Sequence, residues 1–194
     1  MTQQRAEEEF QSIPLQFDME SAILELVRQR LPCFRIFAEA AKYRKKHTGQ
    51  TAQFKTEKWF QAELLVHLWS KGLKVVPEYG PHRWDLYAIA DSKDLPNYLL
   101  ALKCLSDSAQ SVSLDFESVR KDIEAVLDHH DVGEGTAYVV LVLPLSRRGR
   151  YCSSMLSKIR SDHLLGILEI HEHDLSFSTD SQEGVKLVWI GRRS

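Results

Sequence analysis

Cysteine is scarce in this chain, and its three residues lie far apart. Cys33, Cys104 and Cys152 are the only cysteines among 194 residues. An odd number of widely spaced cysteines argues against a disulfide framework and against a four-cysteine zinc site. The scarcity fits a reducing compartment, so the sequence predicts a cytoplasmic protein.

Long hydrophobic runs are absent as well. The longest one, YVVLVLPL, begins at Tyr138 and is far shorter than the ~20 residues of a membrane-spanning helix. The opening stretch MTQQRAEEEFQS is polar and acidic, unlike the apolar core of a signal peptide. We therefore expect no membrane partner.

Two further absences narrow the function classes. The chain has no glycine-rich phosphate loop and no nucleophile motif around a serine or cysteine. Its formal net charge is only −2, with 27% charged and 43% hydrophobic residues. This composition is typical of a soluble globular protein with one core, and it argues against a disordered chain or a strongly basic nucleic-acid coat.

Positive charge is concentrated in one region. Between Arg28 and Lys58 there are nine Lys or Arg residues and two acidic residues. A basic surface of this kind contacts phosphates in nucleic-acid-binding proteins, which makes Arg44, Lys45, Lys46 and Lys58 candidate DNA contacts. The alternative is a solvated helix end, which is the ordinary role of such a charge run.

The beginning of the chain predicts a helical cap. A helix is predicted over 18–31, and Pro32 is expected to end or kink it. A second helix is predicted from Cys33 to about His47. We interpret residues 1–50 as an acidic segment and a two-helix cap on the domain that follows.

Residues 51–194 predict an α/β core. Helical spacing and apolar runs indicate a central mixed sheet flanked by helices. The run TAYVVLVLPL is apolar almost throughout, as expected for a strand buried on both faces. The predicted helices cover 56–71, 115–130 and 153–164, and the predicted strands cover 73–80, 83–90, 98–105, 136–145, 164–173 and 185–191.

The strand YLLALKCL, residues 98–105, carries one lysine in an apolar run. Residues two apart in a strand share a face, so Ala101 and Lys103 point the same way. Asp85 is a carboxylate in the otherwise apolar preceding strand. If the two strands are antiparallel neighbours, Asp85 and Lys103 lie side by side. A buried charge is tolerated when it is paired or holds a metal.

The helix predicted over 56–71 contributes a further acid. Apolar residues spread round most of its circumference, so we expect it to be buried on several sides. Glu63 lies in the narrow polar stripe that remains, together with His67 and Ser70. Such a glutamate needs either solvent or a polar site to face.

These residues resemble the PD-(D/E)XK nuclease superfamily, whose fold is restriction-endonuclease-like. The resemblance covers about residues 56–145. It rests on Glu63 in the helix, Asp85 after a turn, and the strand that ends with Leu102 and Lys103. It implies hydrolysis of phosphodiester bonds in DNA, with Mg²⁺ or Mn²⁺ as the cofactor.

The resemblance also assigns a role to each residue. Asp85, position 101 and the carbonyl of Leu102 would seat the metal, which polarises the phosphate and activates a water. Lys103 would be catalytic, because it can orient that water or stabilise developing charge. Glu63 would support the metal through a water. The partner implied is DNA, and a homodimer or a partner protein stays open.

The departure from the motif is Ala101, which stands where the family has an acidic residue. A methyl group cannot ligate a metal, so we expect the chain to be inactive or impaired. Either one substitution has inactivated an intact site, or catalysis has been lost or rerouted to a carboxylate such as Glu78 or Asp94. Two other functions stay open: a catalytically dead nucleic-acid-binding or assembly subunit, and a cytosolic protein-interaction module.

Overall fold

A six-stranded mixed sheet with helices on both faces forms the fold, and the predicted α/β class is confirmed. The computed structural model describes residues 17–49, 56–80, 84–90, 96–105, 112–132, 135–145, 150–162, 168–179 and 181–192. The helices are α1 (Met19–Thr48), α2 (Thr56–Ser70), α3 (Val112–Val132) and α4 (Arg150–Ser161). The strands are β1 (Lys74–Tyr79), β2 (Trp84–Ile89), β3 (Tyr98–Cys104), β4 (Thr136–Leu145), β5 (Leu168–Ser176) and β6 (Gly184–Arg192).

The strands lie in the order β1-β2-β3-β4-β6-β5. β3 and β4 are parallel, whereas every other neighbouring pair is antiparallel. As a result β3 and β4 finish at the same end of the sheet at which β2 and β6 begin. We call this end, which carries Lys103 of β3, the lysine end. The opposite end is called the far end.

Each face of the sheet has its own apolar core. α1 and α2 cover one face, and α3 and α4 cover the other. β4 contributes Val140 and Val142 to the first core and Val139 and Leu141 to the second. The predicted burial of this strand on both faces is therefore confirmed. None of the described helices is long and apolar enough to cross a membrane.

The predicted break at Pro32 is wrong, because α1 is one helix that continues through this residue. Proline removes one helical hydrogen bond and crowds the preceding turn, but it does not forbid a helix that packing stabilises on both sides. Such packing exists: Ile23 and Val27 before the proline and Phe34 after it are all buried in the same core. One long helix therefore replaces the expected two-helix cap.

α1 and α2 pack antiparallel. Their contacts run in opposite chain directions, from Glu25 with Lys71, through Arg30 with Glu63, to Phe34 with Trp59 and Phe60. The end of α1 consequently extends past the beginning of α2, towards the lysine end. In these last turns, every residue from 42 to 49 with a described side chain is exposed.

α2 is less enclosed than its apolar sequence predicts. Phe60, Leu64 and Leu68 are fully buried, but Val66 and Trp69 are 66% and 58% exposed. The expectation of burial on several sides is wrong for this outer face. The packed side of the helix is enough to fix its position over β2 and β3.

Candidate polar site at the lysine end

The site begins where β2 and β3 separate. Their last paired residues at this end are Leu86 and Leu100, and one further step of this register sets Asp85 opposite Ala101. The Asp85 side chain turns towards β3, where one carboxylate oxygen accepts a hydrogen bond of 2.8 Å from the amide of Leu102. The carboxylate thus satisfies a strand amide beyond the last backbone pair.

Glu57 accepts a hydrogen bond from β3 in the same way, two residues further along the strand. This residue lies in the first turn of α2, and its carboxylate accepts a hydrogen bond from the backbone of Cys104. Burial raises the pKa of Glu57, and the neighbouring Asp85 charge raises it further, while Lys103 opposes both effects. Two carboxylates from different elements therefore bind the end of β3 that is not paired with β2.

α2 fixes this arrangement through two more side chains. Gln61 is buried, and its amide nitrogen donates a 2.6 Å hydrogen bond to the carbonyl of Asp85. Its oxygen accepts a 2.9 Å hydrogen bond from Lys58. The Lys58 ammonium also lies 3.3 Å from Glu78 and 3.8 Å from the second carboxylate oxygen of Asp85.

Lys103 supplies the positive charge on the side of the sheet that α3 covers. Its ammonium lies 3.4 Å from a carboxylate oxygen of Asp122, which is on α3. Desolvation alone lowers the pKa of Lys103, but Asp122, Glu57 and Asp85 together raise it above the usual value. Burial raises the pKa of Asp122. Lys103 therefore stays charged, and its charge offsets the repulsion among three carboxylates.

These contacts define a polar cluster, made of Glu57, Lys58, Gln61, Asp85, Lys103 and Asp122. Ala101 lies beside it on the face of Lys103, and it is only 6% exposed. Its methyl group packs in the core shared with α3 and α4. At the position opposite Asp85, an apolar contact stands where the family motif has an acid.

Glu63 faces α1 and not β3. Its carboxylate forms a 2.8 Å ion pair with Arg30. Six residues of α-helix turn a side chain by about 600° and advance it by about 9 Å, so Glu57 and Glu63 point to different sides of α2. The α2 side chains that contact Asp85 are Lys58 and Gln61. No contact between Glu63 and Asp85 supports the role predicted for Glu63.

The predicted DNA contacts separate into two groups. Arg44 and Lys46 are exposed in the last turns of α1, the helix segment to which Lys45 also belongs. Lys58 belongs to the polar cluster, where it pairs with Glu78 and Asp85. Its positive charge is therefore already paired with carboxylates of the protein.

The side chains of the polar cluster do not form a ready metal seat. One carboxylate oxygen of Asp85 already accepts a hydrogen bond from an amide, and Ala101 has no atom that could ligate a metal. Lys58 and Lys103 place ammonium groups beside the remaining carboxylates. No group of three or more His, Cys, Asp or Glu residues suited to a metal occurs in the part of the chain that the structure describes. Glu78 is held by Lys58, and Asp94 lies outside the described residues.

Sequence reasoning assigned no site role to Glu57, Gln61 or Asp122. Glu57 and Gln61 are four residues apart and therefore share one helix face. Asp122 lies within the apolar stripe of α3, three residues after Val119 and four before Val126, both buried. An acid inside the buried stripe of an amphipathic helix was the available signal, since such a charge needs a partner.

No protein-family model matches this chain, and no curated protein or solved structure matches it either.

Proposed function

We propose that this protein is a DNA-binding protein built on a nuclease-like core, and that it does not cleave DNA while position 101 is alanine. One observation carries the proposal. Asp85, Ala101 and Lys103 meet where β2 and β3 separate, with a buried methyl group at the position opposite Asp85. An acid at 101 would complete the carboxylate pair that a hard divalent cation prefers.

The polar cluster supports this interpretation by its composition. A structural ion pair needs one cation for one carboxylate. Here Asp85, Glu57 and Asp122 all influence the pKa of Lys103. Groups with shifted pKa values concentrate at functional sites, although structural networks shift them as well.

The direction of α1 supplies the DNA-binding part of the proposal. Its exposed end carries Lys42, Arg44 and Lys46 and extends past the start of α2, towards the lysine end. Cations also suit the C-terminus of any helix. Lys42 pairs with Glu183. A phosphate-binding role adds a reason for this helix end to carry further exposed cations, since each neutralised phosphate releases counterions.

We predict that Ala101→Glu creates a divalent-metal site and cleavage activity. Without metal, the new carboxylate lies close to Asp85 in a poorly solvated site, so repulsion lowers the melting temperature. Added Mg²⁺ or Mn²⁺ should raise that temperature again, because a ligand that binds only the folded state stabilises it. Calorimetric melts and a plasmid-cleavage assay measure the two effects.

The matched control is Ala101→Gln, which has nearly the same size but no charge. It should show the packing cost without a metal response. Ala101→Glu combined with Lys103→Ala should bind metal without cutting. If the Glu and Gln variants respond identically to both cations, the nuclease-derived interpretation of this site is wrong.

A further inference from the structure

A second polar site lies at the beginning of α1, on the sheet face that α1 and α2 cover. Glu20 is in the first turn of that helix, and its two carboxylate oxygens contact two histidines of the edge strand β5. One oxygen lies 2.6 Å from Nδ1 of His171, and the other lies 2.7 Å from Nε2 of His173. We call Glu20, His171 and His173 the histidine clamp.

The second ring nitrogen of His171 also faces an acid. Its Nε2 lies 3.2 Å from a carboxylate oxygen of Glu169. A neutral imidazole has one N–H, so it can donate to only one of these carboxylates, whereas an imidazolium donates to both. The geometry around His171 therefore fits the protonated ring.

The strands beside the clamp place aromatic and apolar side chains against it. On β6, Trp189 and Leu187 are the register partners of His171 and His173. On β4, the Tyr138 ring packs tilted against Trp189, with ring centroids 4.3 Å apart. Burial raises the pKa of this tyrosine, and the charges of Glu20, Glu169 and Asp18 raise it further, so its hydroxyl stays neutral. Among the described residues, the ionisable side chains that contact His171 are thus Glu20 and Glu169, and His173 shares Glu20 with it.

We propose that the histidine clamp is a pH-sensitive attachment that holds the first turn of α1 on β5 while His171 is protonated and loosens when the ring becomes neutral. Deprotonation leaves a lone pair of the ring facing the charge of Glu169 or of Glu20. That contact is repulsive, and it replaces a charge-assisted hydrogen bond, which is roughly twice as strong as a neutral one.

The expected pH window follows from the direction of the shift. Hydrogen bonds to Glu20 and then Glu169 raise the pKa of His171 above its ordinary value of 6.5. A group whose pKa is higher in the folded protein contributes stability that is complete below the unfolded value and lost as the pH rises through the folded value. The clamp therefore weakens from about pH 6.5 upward.

The remaining contacts of α1 respond differently to pH. His67 of α2 hydrogen-bonds the backbone of Ala22, but burial lowers the pKa of this histidine, so it titrates below the window of the clamp. Met19, Ile23 and Leu26 bury apolar surface in the core, and Lys42 pairs with Glu183 at 2.7 Å nearer the lysine end. Lysine and glutamate do not titrate between about pH 6 and 8. Loss of the clamp should consequently loosen the start of α1 without releasing the whole helix. This inference is independent of the proposed DNA binding.

Hydrogen exchange and histidine titration test the clamp in the full chain. The amides of residues 19–23 should exchange severalfold faster at about pH 8 than at about pH 6, after correction for the intrinsic effect of pH. In Glu20→Gln, this pH dependence should disappear, and the titration midpoint of His171 followed by NMR should fall. His171→Asn should also remove the pH dependence while leaving Glu20 in place.

Glu183→Gln is the matched control, since it breaks a polar contact of the same helix that contains no histidine. Its exchange should keep the full pH dependence at residues 19–23. The proposal is overturned if Glu20→Gln retains the pH dependence of the wild-type protein. It is equally overturned if the midpoint of His171 does not change in that variant.

Discussion

Lys103 balances more negative charge than one lysine ordinarily does. Asp122 approaches it from α3, Glu57 from α2, and Asp85 from β2. Burial raises the pKa of both Asp122 and Glu57, which means that their charged forms are costly in the fold. The lysine is therefore the group that makes three partly buried carboxylates compatible with one another.

We predict that Lys103→Met destabilises the protein by about 2–3 kcal/mol at neutral pH. Breaking a buried ion pair by removing one partner costs about 3–5 kcal/mol, and we expect less because Lys103 and Asp122 keep side-chain exposures of 20% and 24%. Asp122→Asn should cost less than Lys103→Met, since it also removes a carboxylate that burial disfavours. Urea denaturation measures both changes in the free energy of unfolding.

The double variant provides the decisive comparison. Lys103→Met with Asp122→Asn should lose less stability than the two single changes summed, because neighbouring charges couple. Additive losses would contradict the pairing. In Lys103→Met alone, stability should also recover as the pH falls below neutrality, because carboxylates with raised pKa values take up protons more readily in the folded state.

At the scale of the element, α1 shows how packing overrides a local signal. Pro32 removes the amide that would bond to the carbonyl of Arg28, four residues earlier. The helix nevertheless runs from Met19 to Thr48, because its buried residues lie on both sides of the proline. Pro32 itself is exposed, so its ring adds no contact with the core.

We predict that Pro32→Ala stabilises the protein by about 2–2.6 kcal/mol. Proline is about 3 kcal/mol less favourable than alanine inside a helix, and the lost restriction of the unfolded chain offsets about 0.4–1 kcal/mol of that gain. Thermal or urea unfolding measures the difference. Pro32→Gly is the control and should be about 1 kcal/mol less stable than Pro32→Ala. A loss of stability in Pro32→Ala would mean that the ring itself is needed.

At the scale of the whole molecule, the two ends of α1 have different environments. The first end lies on β5, where Glu20 contacts His171 and His173. The other end extends past α2 towards the lysine end and carries the basic residues. α1 thus connects the histidine clamp with the region proposed to meet DNA.

We predict that changing Arg44, Lys45 and Lys46 together to glutamine weakens DNA binding and its salt dependence. Each phosphate contact contributes about 0.9 to the slope of log K against log salt, so three lost contacts lower the slope by up to about 2.7. Fluorescence anisotropy at several salt concentrations measures this slope.

The control variant removes the same charge elsewhere. Arg28, Lys71 and Lys74 are exposed and lie away from the lysine end. Changing these three to glutamine should leave the slope nearly unchanged. Equal slopes in the wild type and in the Arg44, Lys45 and Lys46 variant would mean that this run is only a solvated helix end.

The sequence by itself determined the fold class and most of its elements, apart from the single helix α1 that replaced the two predicted helices. Apolar spacing placed α2 over 56–71 against the observed Thr56–Ser70, and it placed β4 over 136–145 as observed. The side-by-side placement of Asp85 and Lys103 was conditional on β2 and β3 being antiparallel neighbours, and the register of Leu86 with Leu100 shows that they are. These features depend on residues close together in the chain, where side-chain periodicity is informative.

Only the tertiary structure decided which charges meet. Glu57, Asp85, Lys103 and Asp122 come from four elements, and their approach depends on the angle of α2 and on the point where β2 and β3 separate. The same packing turned Glu63 towards Arg30 and joined Glu20 to a histidine 151 positions later. Sequence periodicity specifies the face of a residue, whereas the partner across that face depends on how distant elements pack.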